Sequence, residues 1–297
     1  MNKKTLIILL SVSWLVLIIL FLALMSVYRF SGHTKLMSSG KKGLFGSSEV
    51  GILEIKGVIM DSDDILEKIR DLKDRDKVKA VIVRIDSPGG GISASQEIYE
   101  ELKKLDKEKP VIASLSSVAA SGGYYVAIGA RTIIANLGTI TGSIGVIMQL
   151  ADLEKLYEFI KIAPITIKSG KFKDIGSSSR KMTEEERVFL QQLSDNMHAQ
   201  FKKAVADARK MPPSVINEIA DGRVFSGQQA FELGLVDYIG TFDDAIKYAE
   251  KVANISADSE LYYPKEEKPG LKDFLSGVKT FVNKTFIETS KNVPVAM

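Results

Sequence analysis

The sequence predicts a layered α/β fold, with helices covering a largely parallel β-sheet, preceded by a transmembrane helix. From residue 50 onward, short apolar β-branched runs alternate with amphipathic segments, which is typical of strands joined by crossover helices. The 297 residues, 45% of them hydrophobic, suffice for one globular body with a sizeable core. Residues 5–28 carry no charge. As a helix rising ~1.5 Å per residue, they would cover the ~30 Å hydrocarbon layer of a bilayer.

The apolar N-terminal segment is predicted to be an uncleaved membrane anchor. A cleavable signal peptide is the alternative, but such a peptide has a shorter apolar core that ends in small residues, and Leu22–Met25 is a poor cleavage site. Basic residues lie on both flanks of the span, so the charge distribution does not orient it. Residues 29–49 are rich in Gly, Ser and Lys, which predicts a flexible linker.

The elements of the body follow from hydrophobic periodicity. Strands are predicted at 50–56, 79–85, 110–115, 132–135, 143–148 and 164–168. Helical spacing of apolar residues predicts helices over 65–72 and 98–105, and a capping box at Thr183–Glu186 begins a long amphipathic helix. The predicted globular body spans residues 50–253. The tail, 254–297, contains apolar residues from Leu271 to Phe286 that predict an amphipathic helix.

Composition excludes several classes of function. The formal net charge is +3, from 40 basic and 37 acidic residues, so there is no overall bias toward nucleic acid. The absence of cysteine excludes disulfides, a thiol nucleophile and thiolate metal sites. The two histidines, His33 and His198, do not suggest a metal cluster. The glycine-rich segment Gly89–Gly91 matches neither phosphate-binding motif. We therefore expect no metal and no nucleotide cofactor.

Ser121 is the candidate nucleophile. An apolar strand and two alanines lead into Ser121, and Gly122 and Gly123 begin a helix-like run. A hydroxyl at such a sharp strand-to-helix turn is exposed, and its small neighbours let a substrate carbonyl approach. The amide of Gly122 points to the position of a developing oxyanion.

The base that would activate Ser121 is less obvious. His33 lies in the linker and His198 in the long helix, so neither is well placed. A lysine that burial keeps neutral can do the same work. The segment that follows the last predicted strand offers Lys168, Lys171 and Lys173. The residues alone do not choose among them, and a solvated basic loop remains the alternative.

Two further segments could complete a site. Gly89 and Gly90 follow an apolar strand and could present amide donors to an anionic oxygen, or form an ordinary turn. Ser143 could hydrogen-bond an amine. The predicted strand after it, including Ile144–Val146, could pair with an extended peptide.

The order of these motifs closely resembles the signal peptide peptidase A family in its short, single-repeat form. The motifs are Asp86-Ser87-Pro88-Gly89-Gly90, Ala119–Tyr125, Thr141–Val146, Lys168–Asp174 and Asp221–Val224, and the resemblance covers about residues 50–250. It implies a ClpP/crotonase-like fold. It also implies that Ser121 is the nucleophile, Lys173 the general base and Ser143 the residue that orients the lysine. Gly89 or Gly90, with Gly122, would supply the oxyanion hole.

The resemblance also implies a cellular setting. Residues 1–4 would be cytoplasmic, the body would lie outside the cytoplasm, and the chains would form dome-like homo-oligomers, octamers by the family pattern. The substrates would be remnant signal peptides and other extended apolar peptides. Two other functions stay open: an acyl-CoA-processing enzyme of the same fold that uses Gly89 and Gly90, and a non-catalytic membrane scaffold in which Ser121 caps a helix.

Overall fold

The computed structural model describes residues 48–257 and 259–265, and all of these belong to one compact unit. No helix in this part of the chain is both long and apolar enough to cross a membrane. The predicted span at 5–28, nearly all of the predicted linker and the apolar face predicted between Leu271 and Phe286 lie outside the described residues.

A mainly parallel β-sheet forms the centre of the fold. Its strands are β1 (Glu49–Lys56), β2 (Val78–Ser87), β3 (Val111–Ala120), β4 (Thr132–Ala135), β5 (Ile140–Gly142), β6 (Val224–Ser226), β7 (Tyr238–Ile239) and β8 (Glu260–Tyr262). The order is β6-β5-β3-β2-β1-β8, and β4 pairs with β3 and β7 off this path. Only the β5–β6 pair among these strands is antiparallel. The first four predicted strands are confirmed.

Strand β3 has two successive partners along one edge. Its residues Ile112–Leu115 pair with β4, and its residues Val118–Ala120 pair with β5. On the other edge, β3 pairs with β2. Because β5 pairs with the last residues of β3, the end of β5 lies beside the residue that follows β3, which is Ser121.

Eight helices accompany the sheet in the described residues. They are α1 (Asp63–Asp74), α2 (Ile92–Glu108), α3 (Gly122–Ala127), α4 (Glu154–Phe159), α5 (Glu184–Arg209), α6 (Pro213–Ile219), α7 (Gly227–Glu232) and α8 (Phe242–Ala253). The predicted helices correspond to α1, α2 and α5. The predicted capping box is confirmed, since Thr183 Oγ1 accepts from the Glu186 amide at 3.2 Å and Glu186 Oε2 accepts from the Thr183 amide at 2.9 Å.

The sheet is covered on both faces. Val50, Ile52 and Ile82 pack with Ala245 and Ala249 of α8 on one face. The alternate strand residues belong to the larger cluster on the other face, together with buried residues of α1, α2, α3 and α5. Burial of both faces explains why these strands are continuously apolar instead of alternating. Each fully buried isoleucine contributes about 1.5–3 kcal/mol to folding.

Two of the predicted strands are wrong. β5 ends at Gly142, and positive φ angles of 80° at Gly142 and 50° at Ser143 turn the backbone out of the sheet, so 143–148 is not a strand. Residues 164–168 form no strand either, and Ile165 and Ile167 are 87% and 96% exposed. An apolar extended segment needs a strand edge to pair with, and no edge within the described chain pairs with these residues.

Candidate active site

Ser121 occupies a strained turn between β3 and α3. Its φ and ψ are 53° and −120°, a backbone conformation that costs a non-glycine residue about 1–3 kcal/mol. The turn is held because the Ser121 amide donates to the Gly142 carbonyl at 2.8 Å, and the Tyr125 amide donates to the Ser121 carbonyl at 2.9 Å. The Ser121 side chain does not cap α3, so its hydroxyl is available for chemistry. Strain at one half-exposed serine is the signature of a nucleophile turn.

The residues around this turn approach so closely that they must be glycine. A Cβ on Gly122 would lie 2.4 Å from Ser95 Oγ, and a Cβ on Gly89 would lie 2.6 Å from the Gly122 nitrogen. Gly89 also has a φ of 102°, which other residues rarely adopt. The loop after β2 is therefore packed directly against the start of α3, as the two motifs together predict.

Two amides beside Ser121 have no acceptor in the described chain. The Gly89 amide donates to Ser87 Oγ at 3.1 Å, and the Gly91 amide donates to the Ile59 carbonyl at 2.7 Å. The Gly90 amide between them makes no such bond, and Gly122 is the first residue of α3, where amides lack an intrahelical partner. Gly90 and Gly122 can therefore donate to one oxygen, whereas the Gly89 amide is already engaged.

Ser121 opens into a narrow cleft with a largely apolar lining. The lining residues are Gly90, Ile92, Ser95, Ser121, Gly122, Tyr125, Gly145, Val146, Met197 and Phe201. The Tyr125 ring packs between Phe201 and Tyr99, with ring centroids 4.6 and 5.2 Å away. Burial is the largest influence on the Tyr125 hydroxyl, and it raises the pKa of that group above its ordinary value. The cleft is thus suited to an uncharged, apolar side chain next to the hydroxyl.

The segment after β5 forms one side of the cleft. The Ser143 amide donates to the Arg223 carbonyl at 2.9 Å, Ile144 is fully buried, and Gly145 and Val146 line the cleft. The amides and carbonyls of Gly145 and Val146 form no backbone hydrogen bond within residues 48–257 and 259–265. They therefore present an unpaired edge beside Ser121.

Lys173 is not brought to Ser121 in the single chain. It lies in a turn, where its amide donates to the Gly170 carbonyl at 3.1 Å. Its side chain is exposed, does not line the cleft and makes no hydrogen bond or ion pair in the described part of the protein. The structure thus gathers Ser121, Gly90, Gly122 and the segment from Ser143 to Val146, while the Ser121–Lys173 pair stays a prediction.

A charged network anchors the turn that carries Lys173. Arg180 pairs with Asp174 through Nε and Nη2, at 3.0 and 2.9 Å, and with Glu186 through Nη1 and Nη2, at 2.9 and 2.5 Å. Lys168 Nζ also contacts Asp174, at 2.5 Å. Hydrogen bonds from Arg180, and then from the Thr183 amide, lower the pKa of Glu186 to about 2. The turn is therefore fixed to the first residues of α5.

Replacing Arg180 by methionine is expected to lower Tm by about 2–8 °C at pH 7, because it removes the guanidinium that bridges Asp174 and Glu186 and leaves Glu186 without a cationic partner. Folding lowers the pKa of Glu186 from 4.5 to about 2. The ion pair therefore stabilises the fold fully above about pH 4.5 and less as the pH falls toward 2. Thermal unfolding of wild type, Arg180→Met and the exposed-cation control Lys181→Met between pH 7 and pH 3 measures this. An Arg180→Met deficit that is independent of pH contradicts it.

Several residues of the site were not predicted from the sequence. The sequence predicts only that Met197 and Phe201 lie on the apolar face of the long helix, and it gives Tyr125 no role of its own, yet all three line the cleft. The sequence predicts that His198 is poorly placed to act as a base. In the structure its Nε2 lies 3.1 Å from the Ile144 carbonyl oxygen. The spacing of residues 197, 198 and 201 indicates that they share one face of α5, and this is the sequence signal that could have placed them together at the site. No group of three acidic or histidine side chains in the described residues could hold a metal ion.

A mainly parallel α/β sheet that ends in a strained serine, with two unpaired amides beside it, resembles the arrangement of hydrolases that use a serine nucleophile. The comparison with known families agrees. The model of peptidase family S49 matches residues 103–256, and the Clp protease model matches residues 52–137. The chain belongs to peptidase family S49, which confirms the predicted family, and the sheet is consistent with a ClpP-like fold.

Relatives with similar sequences are proteases. The chain is 42% identical over 232 residues to a putative protease of Synechocystis sp., a match that covers 77% of this chain and 83% of the relative. It is 39% identical over 235 residues to a chloroplastic serine protease of Arabidopsis thaliana, covering 78% of this chain but 35% of the plant protein. It is 35% identical over 225 residues to a putative signal peptide peptidase of Enterococcus faecium, covering 71% of this chain and 65% of that protein.

Proposed function

We propose that this protein is a membrane-anchored serine endopeptidase that uses Ser121 and Lys173 to degrade remnant signal peptides and other extended apolar peptides outside the cytoplasm. The observation that carries the proposal is the strained, uncapped Ser121 hydroxyl in an apolar cleft, next to the unpaired amides of Gly90 and Gly122. Neither the acyl-CoA alternative nor the scaffold alternative gives this serine a task.

The reaction follows from these atoms. The unprotonated Lys173 amine takes the Ser121 hydroxyl proton as Oγ bonds to the peptide carbonyl carbon, and the carbonyl oxygen becomes an oxyanion that accepts from the Gly90 and Gly122 amides. Collapse breaks the C–N bond, and the Lys173 ammonium protonates the leaving amine. Water then attacks the acyl ester with Lys173 again as base, releasing the acid and restoring Ser121. Ser143 orients the lysine amine.

For this chemistry the Lys173 amine has to lie close to Ser121 and be shielded from water. The exposed apolar segment that precedes Lys173 suggests how this is achieved. Ile147, Phe159, Ile165 and Ile167 are 83–96% exposed, more apolar surface than a monomer usually leaves in water. We propose that neighbouring copies in a homo-oligomer, an octamer by family resemblance, cover this segment and seat the Lys173 turn near Ser121.

The substrate is proposed to bind as an added strand. The free backbone edge at Gly145 and Val146, continuous with Ile144, can pair with an extended peptide, while one apolar side chain enters the cleft. Apolar signal-peptide remnants have this chemistry. The name of the Enterococcus faecium relative, a putative signal peptide peptidase, supports this substrate class. The proposed membrane anchor at 5–28 would keep the enzyme where such peptides are released.

A serine-directed label tests the function directly. Full-length protein in detergent is treated with a fluorophosphonate, digested and mapped by mass spectrometry, and its hydrolysis of an apolar signal-derived peptide is followed in parallel. We expect one modified residue, Ser121, and loss of peptide cleavage in proportion to labelling. Heat-unfolded protein is the control and should not label.

Three results would contradict the proposal. If the folded protein cleaves the peptide while Ser121 remains unlabelled, the nucleophile is another residue. If calorimetry shows binding of coenzyme A and the peptide is not cleaved, the acyl-CoA alternative is favoured. A protein that neither labels nor cleaves supports the scaffold alternative.

A further inference from the structure

His198 contacts the segment after β5, which has left the sheet and forms one side of the cleft. After β5 ends, the positive φ angles at Gly142 and Ser143 carry the backbone away from β3 and β6. The carbonyl of Ile144 then has no strand partner, although Ile144 is fully buried. His198 Nε2 lies 3.1 Å from this carbonyl oxygen. Since a carbonyl only accepts, Nε2 donates and carries a proton.

The same helix also supplies a wall of the cleft. Met197 and Phe201 of α5 line the cleft together with Gly145 and Val146, and His198 stands between them in sequence. Its hydrogen bond therefore fixes the distance between the apolar wall and the unpaired backbone edge. Opposite α5, the segment is held by the Ser143 amide, which donates to the Arg223 carbonyl at 2.9 Å.

The turn at Gly222 leaves little room for the segment to relax. A Cβ on Gly145 would lie 3.1 Å from Gly222 Cα, so the backbone of Gly145 already touches this turn. If the His198 bond is lost, the buried Ile144 carbonyl loses its donor, and the segment can regain hydrogen bonding only by shifting away from the turn toward solvent. Such a shift would move the edge that faces the peptide.

We propose that His198 is a positioning residue that holds residues 144–146 in register for an extended peptide, and that it determines the preference for long peptides over small acyl substrates. The inference rests on the proposed peptidase function. Within the described residues, His198 makes no hydrogen bond to Ser121 or to the two free amides, so we expect a small ester or phosphonate that does not pair as a strand to be indifferent to it.

The test compares a long and a short reactant on full-length variants. We expect His198→Ala to lower kcat/KM for an apolar octapeptide about 5- to 100-fold, mainly through KM, while fluorophosphonate labelling of Ser121 stays within about 3-fold of wild type. His198→Gln, whose amide can donate to Ile144, should recover most of the peptide activity. The control Gln192→Ala lies on an exposed part of α5 and should change neither reactant.

The outcomes separate positioning from folding and from the function itself. Equal losses for the peptide and the phosphonate, with no recovery in His198→Gln, would mean a structural role and overturn the inference. Wild-type peptide kinetics in His198→Ala would also overturn it. If His198→Ala does not fold, the same comparison is made between His198→Gln and His198→Met, which differ in the donor. A wild-type protein that neither labels nor cleaves overturns the peptidase assignment first.

Discussion

Ser121→Ala is expected to lower kcat/KM for an apolar signal-derived peptide by about 10⁴–10⁶-fold. The variant lacks the hydroxyl that lines the cleft at the strained turn directly before Gly122. Alanine fits the same space, and its backbone bears the positive φ about as well as that of serine. The fold should therefore persist, as measured by circular dichroism and Tm.

Ser117→Ala is the matched control for this substitution. Ser117 lies on β3, four positions before Ser121, and its side chain is exposed. It should keep wild-type turnover under the same conditions. Residual hydrolysis by Ser121→Ala within 10-fold of wild type would show that another group attacks the peptide, and a large loss in Ser117→Ala would show that the effect is on the strand rather than on the nucleophile.

The elements that position Ser121 could be predicted from the sequence because each carries a strong local signal. Continuous apolar runs indicate strands buried on both faces, and glycines at close approaches indicate tight turns. Both signals meet at the Ser121 turn, where β3 ends and α3 begins. The capping box at Thr183 is another local signal, and the structure confirms it.

The two wrongly predicted strands depend on whether a neighbouring strand is available for pairing. A local sequence pattern does not contain this information. Residues 143–148 and 164–168 have the apolar composition of strands, but pairing decides whether a strand forms, and here no edge accepts them. β6, β7 and β8 were missed for the opposite reason. They are two or three residues long, too short for periodicity, and they form because an existing strand offers them an edge.

The same distinction explains which parts of the candidate site were found. Ser121, Gly90 and Gly122 lie within short motifs whose geometry is set by neighbours in sequence. Phe201 reaches the cleft, and His198 reaches the Ile144 carbonyl beside it, only because α5 packs against α3 and the segment after β5. A side chain that acts through a contact 54 positions away in sequence, as His198 does with Ile144, has no local signature.

Lys173→Ala is expected to lower kcat/KM about 10³–10⁵-fold while leaving Tm unchanged, because the side chain is exposed and makes no contact that stabilises the described chain. Lys173→Arg should not restore activity, since a guanidinium remains protonated and cannot take the Ser121 proton. Steady-state kinetics with the apolar peptide measure both variants.

Substituting the two neighbouring lysines as well tests which of the three lysines is the general base. Lys168 is paired with Asp174 at 2.5 Å and Lys171 with Glu185 at 2.5 Å, so the amine of each is already engaged by a carboxylate. Lys173 has no such partner in residues 48–257 and 259–265. Lys171→Ala should therefore stay near wild type, and Lys168→Ala should lose activity only as far as the Asp174 network weakens. Near-normal turnover in Lys173→Ala, or a larger loss in either neighbour, would transfer the role of base to a different residue.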